Sequence, residues 1–160
     1  MAKRTAIQID DKALNRQIKR ALLRNPQETV KAVRECALDL SAESAKRAPI
    51  ESGDLRNNCH ADLNGVGIFA NKKSTGATPS STTKATATVG YSLPYALRQH
   101  EDLSLRHDRT DGRKIMSGKN AGQTINMVAG GEAKYLERPF EERKDRYIKR
   151  IHQIVERSIR

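Results

Sequence analysis

The chain has no tryptophan, two phenylalanines and four tyrosines in 160 residues. Large aromatic side chains dominate most cores, so this shortage argues against an extensive one. Apolar residues make up 36%, below the usual ~45–50% even allowing for how glycine is counted. A small core with long polar excursions is expected, and such excursions often gain order only against another subunit. Long apolar runs are missing too. None approaches the ~20 residues of a membrane span, so no membrane partner is expected. The opening "MAKRTAIQIDDK" lacks the apolar stretch of a signal peptide. Only two cysteines occur, Cys36 and Cys59. They form no C-x-x-C and share no paired spacing with histidine, which argues against a structural zinc site. They read as reduced thiols packed as small hydrophobes, in a protein made in a reducing cytoplasm.

What the chain has in quantity is positive charge. Its net charge is +11 and its pI is near 10.0, a balance that favours polyanions and above all nucleic acid. The excess is spread evenly: +4 over residues 1–57, +4 over 58–130 and +3 over 131–160. No arm or tail holds it.

The length fits one domain, residues 1–160. After an extended start, "TAIQIDD", Asp10 or Asp11 can cap a first helix. Leu14, Ile18, Ala21 and Leu22 give it helical spacing through Arg24. Asn25-Pro26-Gln27-Glu28 starts a second, longer helix, with Asn25 as cap and Pro26 at the first helical position. Small residues near its end would admit another backbone, and Pro49 stops it. Asn64-Gly65 marks a hairpin. "ATATVGYS" (85–92) reads as a strand. Long polar loops fill about 71–84 and 102–131, and a last helix starts near Pro139. Runs of strands beside segregated helices give an α+β class: two N-terminal helices, a small mostly antiparallel sheet with long loops, and one C-terminal helix.

Several stretches resemble sites. In "LPYALRQHEDLSLRH" (93–107), His100 and Glu101 begin a zinc-protease pattern, but H-E-x-x-H requires a histidine where Ser104 stands. A metal nuclease built on His100, His107, Asp108 and Asp111 would need a scaffold that is not evident here. "SGKNAGQT" (117–124) fails the phosphate-loop spacing, and no G-x-S-x-G elbow is present. Glu141 and Glu142 read as first-turn charges on the last helix. No catalytic residue, metal or cofactor is expected. Lys72, Lys73 and Lys84 on one loop, and Arg109, Arg113, Lys114 and Lys119 on the other, could touch phosphates. Solvated loop charge is the simpler account. Neither loop has aromatics for base stacking.

Three segments recur in a telling order: "AKRAPIESGDLRNNC", "ATVGYSLPYALRQHE" and "GGEAKYLERPFEE". Together they resemble the tail-completion and minor-capsid family of tailed bacteriophages, small proteins of the head–tail neck. The pattern is a helix, an "AP-x-x-S/T-G-x-L-R" turn, strands, "YA…HE", and a terminal helix opened by an aromatic-Leu-x-x-Pro motif. The match runs through residues 30 to 160. The matching positions are Pro49, Ser52, Gly53, Leu55, Arg56, Tyr95, Ala96, His100, Glu101, Tyr135, Leu136, Pro139 and Phe140. The resemblance implies a non-enzymatic virion subunit that assembles as a ring of identical copies. Other neck proteins and the tail tube or tail terminator would be its neighbours, with transient contact with genomic DNA. It also implies that Glu101, beside His100, can pair with an arginine of the next subunit.

Overall fold

Asp11 starts the first helix, its carboxylate accepting from the Leu14 amide at 2.8 Å. The structure, a computed structural model, describes residues 10–50, 53–80, 83–104, 121–122 and 131–157. Helix α1 runs Lys12–Arg24 and α2 runs Pro26–Arg47. Asn25 serves both helices. Its N–H donates to the Ala21 carbonyl at 2.8 Å, and its side-chain oxygen accepts from the Glu28 amide at 3.2 Å. A cap that closes one helix while opening the next leaves few orphan backbone groups at the junction. Ahead of Pro49, Ala48 is extended, with φ −60° and ψ 140°, as the proline ring demands.

A short helix α3, Asp54–Asn58, comes after Gly53. Four strands come next: β1 His60–Leu63, β2 Val66–Ala70, β3 Lys73–Ser74 and β4 Ala87–Gly90. They form one antiparallel sheet of order β3-β2-β1-β4. Asn64 and Gly65 take the expected hairpin turn, both with positive φ, 52° and 83°. The stretch 71–84 was expected to be loop throughout, yet it contributes β3. The turn into β3 is made by Asn71 and Lys72, again with positive φ, and without the glycine that usually signals such a turn. Arg34 of α2 fastens β3 and the chain just after it, donating to Ser74 Oγ at 3.0 Å and to the Ala77 carbonyl at 3.3 Å. Helix α4, Ala96–Glu101, and helix α5, Glu137–Arg157, complete the fold. α5 begins two residues ahead of the expected Pro139. Proline is tolerated there because first-turn N–H groups have no intrahelical partner.

The fold is thus α+β, with helices covering one side of a small antiparallel sheet. Helix α2 buries Val30, Val33 and Ala37 with Ala61, Leu63 and Ile68 of the sheet, and α5 adds Ile151 and Ile154. Leu14, Ile18 and Leu22 of α1 pack half-buried on this cluster. The small face of α2 does admit close neighbours, and they come from the same chain. The Ser41 carbonyl accepts from the Cys59 thiol at 3.5 Å, and Ser44 Oγ lies 2.8 Å from the Tyr91 hydroxyl. Both cysteines are free. Burial, the first cause in each case, pushes their pKa values up to about 11.

A ladder of polar bonds joins α2 to α5. Glu35 meets Arg150 at 3.0 Å and Asp39 meets Arg143 at 3.1 Å. Glu43 meets Arg143 at 3.0 Å, and Arg47 meets Glu142 at 2.6 Å. Rising numbers on α2 meet falling numbers on α5, so the helices run antiparallel. Asp39 is the centre, also accepting from Arg146 at 2.5 Å and from the buried Tyr147 hydroxyl at 2.7 Å. Burial pushes the Asp39 carboxyl up. The bonds from Tyr147 and Arg146, with the charge of Arg143, outweigh that and hold it below its ordinary value.

Asp39→Ala should cost about 1–3 kcal/mol in urea unfolding, chiefly because it strands the buried Tyr147 hydroxyl, while Arg143 keeps Glu43 and Arg146 faces solvent. Tyr147→Phe should cost about 1 kcal/mol. A carboxyl with a depressed folded pKa stabilises the fold above its unfolded value of about 3.9, and that share is lost as pH falls through the folded value. The gap between wild type and Asp39→Ala should therefore narrow below about pH 4. An Asp39→Ala protein as stable as wild type at neutral pH would show the ladder to be ornamental. For the thiols, labelling with a disulfide reagent at pH 8 should be slow in the native protein and fast in urea.

Candidate functional site

The three segments that carry the family resemblance meet in space, where the end of α2 faces the start of α5. Leu55, Ala96, Tyr135, Leu136 and Phe140 share one buried cluster with Leu40, Ala48 and Tyr147. Tyr135 is its centre. It is fully buried, its hydroxyl donates to the Ala96 carbonyl at 2.7 Å, and its ring meets Tyr91 and His100 edge-on, each at 5.0 Å. Pro139 is fully buried as well.

Backbone bonds and one close approach lock these segments. The Glu132 N–H donates to the Arg47 carbonyl at 2.9 Å. Beside it, a Cβ on Gly131 would fall 2.8 Å from Pro49 Cα, so only glycine lets the two backbones meet. Gly53 has φ 86° and turns the chain into α3. Arg56 then reaches back, donating to the Ala48 carbonyl at 2.7 Å. Of the motif positions, only Ser52 lies outside the described residues.

His100 is fully buried on α4. Its Nε2 lies 3.3 Å from the Glu137 backbone nitrogen at the start of α5 and accepts that N–H. The proton therefore sits on Nδ1, which donates to Glu101 Oε1 at 2.7 Å. Burial, the first cause, holds the imidazole pKa below its ordinary value despite Glu101. His100 is a neutral, doubly bonded connector between helices. Within its own chain Glu101 binds Lys134 at 2.5 Å, and Lys134 also binds Glu137 at 2.8 Å. The Lys134 N–H donates to the His100 carbonyl at 2.7 Å. Lys134 sits in the left-handed region, φ 59°, which no sequence signal announced.

This cluster has a metal-like spacing. Donor atoms of His100, Glu101 and Glu137 lie within 4.8 Å of one another. Yet both imidazole nitrogens are engaged, and the cation bonded to both carboxylates is the Lys134 ammonium. The arrangement suits holding two helix ends together better than binding an ion or passing a proton to substrate. His107, Asp108 and Asp111, the other members of the nuclease pattern, lie outside the described residues.

The lysines considered for phosphate contact do not converge. Lys72 and Lys73 lie at the β2–β3 turn on one edge of the sheet. Lys84 lies just ahead of β4, the opposite edge, and its carbonyl accepts from Asn64 at 2.7 Å in the β1–β2 turn. These positions sit at opposite ends of β2, roughly 15 Å apart along the strand alone. Arg109, Arg113, Lys114 and Lys119 lie outside the described residues.

Sequence reasoning missed Arg47, Tyr91, Gly131 and Lys134 as parts of the hub. The Gly130-Gly131 pair just before "EAKYLE" was the one usable signal, since adjacent glycines mark close approach or unusual backbone. Comparison with protein-family models, curated proteins and solved structures finds no match. Among the described residues, no helix is long and apolar enough to cross a membrane.

Gly131→Ala should destabilise the fold by about 2 kcal/mol or more, because backbone on both sides must move; chemical denaturation measures it. His100 has a folded pKa below the unfolded value of about 6.5. Its contribution to stability is therefore full above that pH and is lost as pH falls through the folded value. Melting temperature should drop on acidification below about pH 6.5, and His100→Asn should flatten the drop.

Proposed function

We propose that this chain is a structural subunit of the neck of a tailed-bacteriophage virion. It acts through assembly: copies form a ring that completes the upper end of the tail or joins head to tail. The observation that carries this reading is that described residues of the three motif segments, 45–59, 87–101 and 130–142, converge into one buried hub. Residues far apart in sequence but alike in pattern to the neck family thus build one architectural feature. Among the described residues the hub offers no nucleophile–base pair and no imidazole nitrogen free for substrate.

The outer side of α4 is the surface this reading assigns to a neighbouring subunit. Pro94, Leu97, Arg98, Glu101 and Asp102 line an open depression there. Tyr95, next to Pro94, and Leu103, next to Asp102, are 43% and 67% exposed. Aromatic and apolar side chains with an arginine are the usual centre of a protein interface. A head-to-tail contact that closes by rotation gives a ring, and burial between copies supplements a modest core.

Electron microscopy of purified particles or neck complexes should place the polypeptide in a ring between head and tail. Leu97→Asp with Leu103→Asp should leave the monomer folded and keep it out of particles. Virions free of the polypeptide, or a double variant incorporated like wild type, would overturn the assignment or its proposed contact, respectively.

A further inference from the structure

Helix α1 has two opposed faces. Leu14, Ile18, Ala21 and Leu22 turn to the core. On the other side Lys12, Arg16, Arg20 and Arg24 stand four residues apart, joined by Lys19, and all five are exposed. α1 contains no acidic residue. No ion pair joins any of the five to another described residue; Arg16 bonds only the Lys12 carbonyl, at 3.4 Å. The carboxylates just ahead of the helix are used locally, Asp11 by the Leu14 amide and Asp10 by Asn15.

Folding does not account for this stripe. Like charges four apart on a helix repel. Lys12 stands in the first turn, where the helix dipole disfavours a cation, and only Arg24 gains from the dipole at the other end. The α2–α5 seam follows the opposite rule, matching its arginines to carboxylates. The stripe spans about 18 Å at 1.5 Å per residue, a linear density of charge suited to a polyanion. Duplex DNA presents about one negative charge per 1.7 Å of axis.

We propose that the outer face of α1 docks on the phosphate backbone of duplex DNA, through Lys12, Arg16, Lys19, Arg20 and Arg24. Docking is independent of base sequence, because cations on phosphates position without specifying. A lipid surface fits less well. An interfacial helix inserts its apolar face, whereas the apolar face of α1 is packed on the core and only Leu23, 87% exposed, stands out among the cations. The inference goes beyond the neck assignment and does not depend on it.

The test is fluorescence anisotropy of the full chain with a labelled duplex of about 25 base pairs, from about 50 to about 200 mM salt. The variant Lys12→Gln/Arg16→Gln/Arg20→Gln/Arg24→Gln should keep its melting temperature and bind at least about tenfold more weakly at the lower salt. Its salt slope should be shallower by up to roughly 3.6, about 0.9 for each of four phosphates no longer neutralised. A Lys72→Gln/Lys73→Gln/Lys84→Gln variant should stay within about threefold of wild type. Should the fourfold variant misfold, Arg16→Gln and Arg20→Gln singly should each weaken binding about two- to threefold. The proposal is overturned if wild type has no affinity for the duplex at about 50 mM salt, or if folded α1 variants bind like wild type. It is also overturned if the stripe is needed only for anionic vesicles or for an acidic protein partner.

Discussion

Asp39 receives Arg143, Arg146 and the buried hydroxyl of Tyr147, and through this meeting point α2 holds α5 along its length. Much of the remaining structure is built on that contact. Helix α2 lies on the sheet, and α5 closes the core over it with Ile151 and Ile154. α5 also offers its first free N–H to His100, which anchors α4. Were α5 to lift away, the sheet would lose part of its cover and His100 of α4 the N–H it accepts.

Single ion pairs on a partly wet seam contribute little, about 0–1 kcal/mol each. Their combined value here is alignment. A slide of α5 by one turn in one direction would bring Glu142 towards Asp39 and set like charges together, a penalty that discriminates against the wrong register. A chain with few large apolar side chains has fewer ways to fix register by shape alone. The charge-rich composition and the modest core are two sides of one solution.

Where backbone chemistry is local, the sequence is easy to read. Asn25 with Pro26 and Glu28 announces the joint between two helices, and Asn64-Gly65 announces a hairpin. Where order comes from distant partners, nothing local shows it. β3 is two residues long, entered by Asn71 and Lys72 without glycine and braced by Arg34 from another element. α4 and α3 are too short for helical periodicity to emerge. The candidate site follows the same division. The motif positions were legible as a pattern, and Tyr135, Ala96 and His100 do gather. The bond Glu101 makes within its own chain was not legible, since Lys134 lies 33 residues on and its backbone takes an uncommon conformation. Nor was the α1 stripe. The even spread of charge along the chain masks a concentration that appears only when residues four apart are stacked on one face.

The bond from the Lys134 N–H to the His100 carbonyl joins the two ends of a long excursion. A chain leaving α4 and returning at that point pays its closure entropy once, and each doubling of its length adds only about 0.6 kcal/mol. By that arithmetic, an epitope grafted between these two ends would add little closure entropy to the cost of holding the joint.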